Sequence, residues 1–228
     1  MASVPVITID GPSGSGKGTI SRMLAHQLGW HFLDSGSLYR LVALGALQHD
    51  ISLDNESQLA DYARQLDVRF ESTDPAQDPD IWLENQKVDG EIRTEQCGDA
   101  ASRVAAMPGV RQALLQRQRD FLQSPGLVAD GRDMGTIVFP NADLKIFLTA
   151  SAEIRAERRH KQLKQKGIDA NLAALVKDIA ARDARDSQRA VSPLKPADDA
   201  TVIDCTEMEV SEVLSQIRAL AEPLASHE

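Results

Sequence analysis

Hydrophobic positions along the chain alternate between short apolar runs and stretches of helical spacing. Val4 to Ile9 is rich in β-branched residues and low in polarity, the pattern of a central parallel strand covered on both faces. Ile20, Met23, Leu24 and Leu28 then recur at helical intervals, and Gly29 predicts the stop. Trp30 to Leu33 reads as a short second strand. Asp34-Ser35-Gly36-Ser37 supplies turn residues and an N-cap for the next helix, whose inner stripe is Leu38, Leu41, Val42 and Gly45. A third helix is marked by Asp54 as its cap and by Leu59, Tyr62, Ala63 and Leu66.

From Asp67 to Ile92 the period changes to short alternating runs, Val68-Arg69-Phe70 and Ile81-Trp82-Leu83, divided by Asp74-Pro75 and Asp78-Pro79 turns. This predicts a small antiparallel sheet, an insertion that does not belong to a strand–helix series. Two helices follow, Thr94 to Ala106 and, behind Pro108 at an N1 position, Val110 to Leu122. Leu127 to Ala129 and Asp143 to Thr149 are further core strands. Ser151 caps a helix over 153–166 that carries six Lys or Arg residues and few apolar ones, so it is expected to bury little and to act as a mobile charged lid. Leu172, Leu175, Val176 and Ile179 build the next helix, whose face continues as Arg182, Asp186 and Arg189. Thr201 to Cys205 is the last strand, and Thr206 with Glu209 predicts a capping box for a final helix through Val210, Val213, Leu214 and Ile217.

Five strands alternating with helices predict an α/β fold, a doubly wound five-stranded parallel sheet with a small antiparallel β insertion and a helical lid. Its ligand crevice lies at the carboxyl ends of the strands. At 228 residues the chain fits one such core with appendages, and 42% hydrophobic and 26% charged residues are ordinary for a soluble globular protein. A net charge of −9 argues against a protein whose main business is nucleic acid. Cys97 and Cys205 lack metal-ligand spacing and read as buried free thiols. Neither a basic and apolar leader nor an 18-residue apolar run is present, so no membrane association and a cytoplasmic location are expected.

The strand at Val4 to Ile9 breaks into Gly11-Pro12-Ser13-Gly14-Ser15-Gly16-Lys17-Gly18-Thr19. Glycines here let successive N–H groups point into one anion-sized hollow at a helix N-terminus. Gly11-x-x-x-x-Gly16-Lys17 matches the P-loop, in which the lysine reaches the outer phosphates of a nucleoside triphosphate. The usual form has Ser or Thr after the lysine to hold Mg²⁺. This chain has Gly18 there, and its first hydroxyl is Thr19.

Two further polar clusters fall at predicted strand ends, Asp34-Ser35 and Asp130-Gly131-Arg132-Asp133. For the first, helix capping and ligand contact can coexist. In the second, two carboxylates and an arginine beside a buried strand point to a ligand. The arginines Arg155, Arg158, Arg159, Arg182, Arg185 and Arg189 suit transfer between two phosphorylated nucleotides, because catalysis there is mostly positioning and charge neutralisation.

With GPSGSGKGT at 11–19, DSGSLYR at 34–40, GEIRT at 90–94, DGRDMGT at 130–136 and RDARDSQR at 182–189, the chain resembles bacterial cytidylate kinases over nearly its whole length. The resemblance implies transfer of the ATP γ-phosphoryl group to CMP or dCMP, with Mg²⁺ bound mainly through the nucleotide phosphates. It implies a core at 1–34, 123–150 and 190–228. A monophosphate-binding region at 35–122 would hold the insertion at about 67–92, and a lid with flanking helices would span 151–189.

By motif match, Ser35, Arg40 and Arg132 would hold the acceptor phosphate, and Ser102, Arg111 and Asp133 would face the cytosine. Arg182 and Asp186 would contact sugar and phosphates, with Arg189 beside them in the substrate site. Lys17 would follow the moving phosphoryl group and Arg158 would come down from the lid. Nucleotides are the expected partners, and a monomer is expected. The rival readings are a kinase of another small acceptor, such as AMP or shikimate, and a P-loop regulatory switch.

Overall fold

In a computed structural model, which describes residues 4–71, 79–165, 167 and 169–225, the first strand β1 (Val6–Asp10) leads through the glycine-rich loop into α1 (Lys17–Leu28). Then come β2 (His31–Asp34), α2 (Ser35–Gln48) and α3 (Glu56–Arg64). A three-stranded piece, β3 (Val68–Glu71), β4 (Asp80–Leu83) and β5 (Gln86–Lys87), precedes the single-turn α4 (Asp89–Ile92), α5 (Glu95–Val104) and α6 (Pro108–Arg119). The chain closes with β6 (Leu127–Gly131), a π-helical turn at Met134–Val138, β7 (Leu144–Thr149), α7 (Ala152–Gln165), α8 (Leu172–Gln188), β8 (Thr201–Asp204) and α9 (Val210–Ala225). Among the described residues no helix is long and apolar enough to cross a membrane.

β2, β6, β1, β7 and β8 form one parallel sheet in that order, as the apolar runs predicted. Every residue of β1 and β6 is buried, because helices cover both faces. The pleat divides them: Leu127 and Ala129 enter the core under α2, α5 and α6, whereas Ile7, Ile9 and Val128 enter the core under α1 and α9. Parallel register sets Ile9 beside Asp130 and Asp34 beside Asp130, so three strands end level and present Asp10, Asp130 and Asp34 along one edge. The glycine-rich loop opens on that edge.

β3, β4 and β5 pair antiparallel as expected, and Phe70 packs edge-on against Phe121 behind α6. The Asp74-Pro75 turn and Asp78 lie outside the described residues, as does Lys166 at the predicted end of the charged helix. The β4–β5 hairpin turns on Glu84 and Asn85, both left-handed at φ 48° and 65°. Glu84 accepts from Tyr62 at 2.9 Å and meets His49 at 2.8 Å, which fastens the insertion to α2 and α3.

Three local expectations are corrected. Asn55, not Asp54, caps α3 by accepting from the Gln58 N–H, and Asp54 instead pairs with Arg103 at 2.7 Å. The predicted Thr206–Glu209 box moves on by one turn-start: Glu209 N–H donates to Glu212, while Thr206 donates to Asp204 and accepts from the Ser151 N–H. That bond ties the end of β8 to the start of α7. Finally, α7 does bury a face, since Ala156 and Leu163 pack with Leu175 of α8 in a small apolar cluster of their own. The two cysteines are free and buried, Cys97 in α5 and Cys205 one residue beyond β8.

Gly11 at φ 153° passes so close to β7 that a Cβ there would stand 2.0 Å from the Leu148 carbonyl oxygen. Backbone offers no side-chain escape. Gly11→Ala is therefore expected to cost about 3 kcal/mol, the upper end of overpacking penalties, read as a lower denaturation midpoint at unchanged slope in urea.

Candidate active site

The turn from β1 into α1 places Gly14 and Gly16 at φ 78° and 93°, conformations that carry the backbone around a hollow. Gly16 gives α1 no side-chain cap, and the first turn of α1 holds no acidic residue, so its partial positive end is left for an anion. Lys17 is buried, with Nζ donating to the Pro12 carbonyl at 3.1 Å and standing 4.0 Å from Asp130. Burial, reinforced by Arg132, draws its ammonium down to about 8, with Asp130 opposing. Burial likewise pushes the Asp130 carboxyl up to about 7 against the pull of Lys17.

Gly18 now has a physical reason. A Cβ at that position would lie 3.1 Å from Asp130 Oδ2, a tight contact that a serine or threonine would meet only if the carboxylate gave way by a few tenths of an ångström. Thr19 is exposed. Among the described residues no group of three or more His, Cys, Asp or Glu side chains could hold a metal ion by itself. Asp130 Oδ1 is buried without a hydrogen-bond partner, a carboxylate oxygen suited to a cation or to that cation's water.

Asp10, the last residue of β1, organises the opposite wall. Its two oxygens accept from the Met134 N–H at 2.9 Å and the Gly135 N–H at 2.8 Å. Burial nonetheless pushes its carboxyl up to about 6. These bonds hold the start of the π-helical turn, and with it Arg132 and Asp133.

Arg132 donates to Asp186 at 3.1 Å and Ser102 donates to the other Asp186 oxygen at 3.2 Å, with Arg189 at 3.8 Å. Burial would raise the Asp186 carboxyl, but Arg132, Arg189 and Arg182 outweigh it and hold the value below the ordinary one. Arg182 is drawn down to about 10 by burial and then by Arg132 and Arg40, and its Nε is buried without a hydrogen-bond partner. Arg40 is aimed by the Ile92 and Thr94 carbonyls, at 2.7 and 3.2 Å. Gly98 in α5 leaves room for these two guanidinium groups, since a Cβ there would stand 2.8 Å from Arg40 and 3.3 Å from Arg182 and their ends would have to shift.

A second group lies between α2 and α6. Arg111 forms a buried ion pair with Asp133, donates to the Ala105 carbonyl at 3.0 Å and sits 5.6 Å over the Tyr39 ring. The Ser35 hydroxyl donates to Gln118 on α6, the helix that carries Arg111. Tyr39, Gln118, Asp10 and Gly98 carry no local signal in the sequence; their roles arise from partners 72 or more residues away or on other helices.

The lid arginines divide by partner. Arg155 is buried and donates to the Ser13 and Ala150 carbonyls, each at 2.9 Å, and to Asp183, which locks α7 and α8 to the glycine-rich loop. Arg158 donates to the Cys205 carbonyl at 2.7 Å. Arg159 and Arg185 reach across to Glu95 and Asp99 of α5, at 2.5 and 2.6 Å. Between these helices, the glycine-rich loop and the segment after β8 lies a cleft of about 1250 Å³.

Residues 7–222 match the family described as cytidylate kinase. The chain is 59% identical over 215 residues to a cytidylate kinase of Pseudomonas aeruginosa (strain LESB58), covering 94% of each. It is 57% identical over 218 residues to that of Aeromonas hydrophila subsp. hydrophila (strain ATCC 7966), covering 96% of this chain and 94% of the relative. Among solved structures, a gluconokinase from Sinorhizobium meliloti 1021 superposes over all of both chains with a TM-score of 0.47 at 16% identity, too distant to bear on the site.

Because Lys17 is lowered to about 8 in the free protein, its charge is complete below about pH 7 and is lost as pH rises through 8. A bound polyphosphate favours the ammonium, so binding takes up a proton above that value. Affinity for a nucleoside triphosphate is expected to fall as pH rises through about 8, by up to tenfold per pH unit, with ionisation of Asp130 at about 7 adding to the fall. Calorimetry at constant ionic strength checks this, and Lys17→Met should bind weakly with that alkaline limb absent.

Proposed function

Since the chain belongs to the cytidylate kinase family, we propose that its cleft takes ATP against the glycine-rich loop and CMP or dCMP against Arg132, Asp186 and the Arg111–Asp133 pair, and moves the γ-phosphoryl group between them. The observation that carries this is the convergence of Lys17, Arg132, Arg182 and Arg40: Arg132 and Arg182 lower the proton affinity of Lys17, and Arg132 and Arg40 lower that of Arg182, with Asp130 and Asp186 as neighbouring carboxylates. Cations held together at that cost in a half-buried cleft fit a ligand bringing several negative charges.

An oxygen of the monophosphate attacks the γ-phosphorus, the bond to the β–γ bridging oxygen breaks, and ADP leaves. Lys17 and the main-chain N–H groups from Gly14 to Thr19 cradle the donor phosphates and neutralise the charge that builds on the moving group. Arg40, Arg132 and Arg182 hold the acceptor phosphate in line, and their planar forks suit its oxygens. Asp186, already fixed by Arg132 and Ser102, faces the sugar. Asp133 accepts from the cytosine amino group while Arg111 serves the ring's acceptors, and Ser35 joins them at the base end through its place beside Gln118. Asp130, with its unpartnered Oδ1, is the residue that would hold Mg²⁺ or its water, and the ion would supply further charge neutralisation.

We assign residues 151–189 to a lid that closes over both nucleotides, in which Arg158 leaves the Cys205 carbonyl for the transferring phosphoryl group. Residues 1–34, 123–150 and 190–228 form the core, and 35–122 bind the monophosphate. Action as a monomer in the cytoplasm belongs to the same proposal.

A coupled assay of ADP formation with ATP and CMP, dCMP, UMP, AMP or shikimate tests the reading. Rapid turnover is expected with CMP and dCMP, and turnover of shikimate or AMP alone would refute it. Lys17→Ala should lower kcat by about 10³-fold, the scale of losing one transition-state charge contact, with little change in melting temperature. Asp133→Asn replaces a hydrogen-bond acceptor by a side chain that can donate to the uracil oxygen. The CMP-to-UMP ratio of kcat/KM should fall by about tenfold or more, the worth of one good base contact.

A further inference from the structure

Gln118 is 1% exposed on α6, and its side chain is bonded at both ends. Its Nε2 lies 3.2 Å from the Leu114 carbonyl oxygen, and its Oε1 lies 2.8 Å from Ser35 Oγ. The orientation of the amide follows from chemistry. A carbonyl can only accept, so the nitrogen end must face Leu114 and the oxygen end must face Ser35. An amide oxygen can only accept in turn, so the single hydroxyl hydrogen of Ser35 is committed to Gln118. What remains on Ser35 Oγ for any ligand is lone pairs.

Ser35 stands at the carboxyl end of β2, where the crevice opens, and the Gln118 it bonds lies on the same helix as Arg111. Tyr39, one turn along α2 from Ser35, lies beneath the guanidinium of Arg111, which is paired with Asp133. Arg111, Leu114 and Gln118 share the buried face of α6.

We infer that Gln118 is a positioning residue for base selection: by taking the Ser35 hydrogen it makes Ser35 a hydrogen-bond acceptor only, so that Ser35 and Asp133 together suit an exocyclic amine and oppose a carbonyl oxygen. The inference rests on the cytidylate reading above. Cytosine carries an amino group at position 4 with two N–H bonds, and two fixed acceptors satisfy both. Uracil carries an oxygen there. A free serine hydroxyl could rotate and donate to that oxygen, which would weaken discrimination; Gln118 removes this option and so acts against the wrong base as much as for the right one. Burial matters, because no water stands ready to replace the lost bond when the wrong base is bound.

The test compares kcat/KM for CMP and UMP in wild type, Gln118→Met, Gln118→Glu, Ser35→Ala and the Ser35→Ala/Gln118→Met double variant. Methionine fills similar space but cannot accept the hydroxyl hydrogen. Gln118→Met is expected to lower the CMP-to-UMP ratio about tenfold, with KM for CMP rising, KM for UMP falling and KM for ATP unchanged. Gln118→Glu should keep the wild-type ratio, since a carboxyl accepts from Ser35 in either protonation state. In the Ser35→Ala background Gln118→Met should leave the ratio where Ser35→Ala put it.

A Gln118→Met ratio equal to wild type, a proportional loss with both monophosphates, or the same ratio change without Ser35 would each overturn the inference. Should that variant fail to fold, neutron diffraction from wild-type crystals decides the matter, since a Ser35 deuteron directed anywhere but at Gln118 would refute it. If wild type itself does not prefer CMP, the underlying assignment fails instead, and the two failures are thus distinguishable.

Discussion

Four cationic side chains, Lys17, Arg40, Arg132 and Arg182, are gathered at the mouth of one parallel sheet, and much of the surrounding structure serves to keep them there. Each would be better solvated apart. Burial and mutual repulsion bring Lys17 down to about 8 and Arg182 down to about 10, so the unliganded protein holds them at a cost that phosphates would relieve. Asp130 and Asp186 temper that repulsion from two sides. Asp186 does so as a strongly held carboxylate, and Asp130, drawn toward neutrality by burial, does so more weakly.

Main-chain groups do most of the aiming. Asp10 holds the turn that follows Arg132 and Asp133 through two peptide N–H groups, and the carbonyls of Ile92 and Thr94 hold Arg40. Neutral donors and acceptors of this kind orient a charge without cancelling it. Glycines then clear the space: Gly98 leaves room for two guanidinium groups, and Gly18 leaves room for the Asp130 carboxylate beside the loop. Both are positions where the missing Cβ matters more than backbone freedom.

The helical pair α7 and α8 is a unit with its own small apolar cluster, joined to the rest largely by arginine contacts. Arg155 is buried among the Ser13 carbonyl, the Ala150 carbonyl and Asp183, and it suits a fixed pivot. Arg159 and Arg185 reach partly exposed carboxylates on α5, contacts of a kind worth about 1 kcal/mol or less each.

The sequence by itself determined the sheet, the glycine-rich loop, the separate antiparallel piece and most of the charged residues of the site, because these follow from local rules. Apolar period, glycine spacing and strand-end carboxylates act within a few residues of one another. Helix caps were legible only to within a residue, as Asp54 and Asn55 illustrate, since neighbouring polar side chains compete for the same N–H groups.

Tertiary structure alone decided partners. Asp10 looks like a strand end until the register of β1 and β6 brings Met134 within reach, and Gly98 looks like a weak point in a helix until two arginines arrive beside it. Ser35 likewise meets Gln118, 83 residues away, which its own motif does not announce. Hydrogen-bond polarity and charge balance depend on which atoms face one another across elements, and no local period in the chain encodes that.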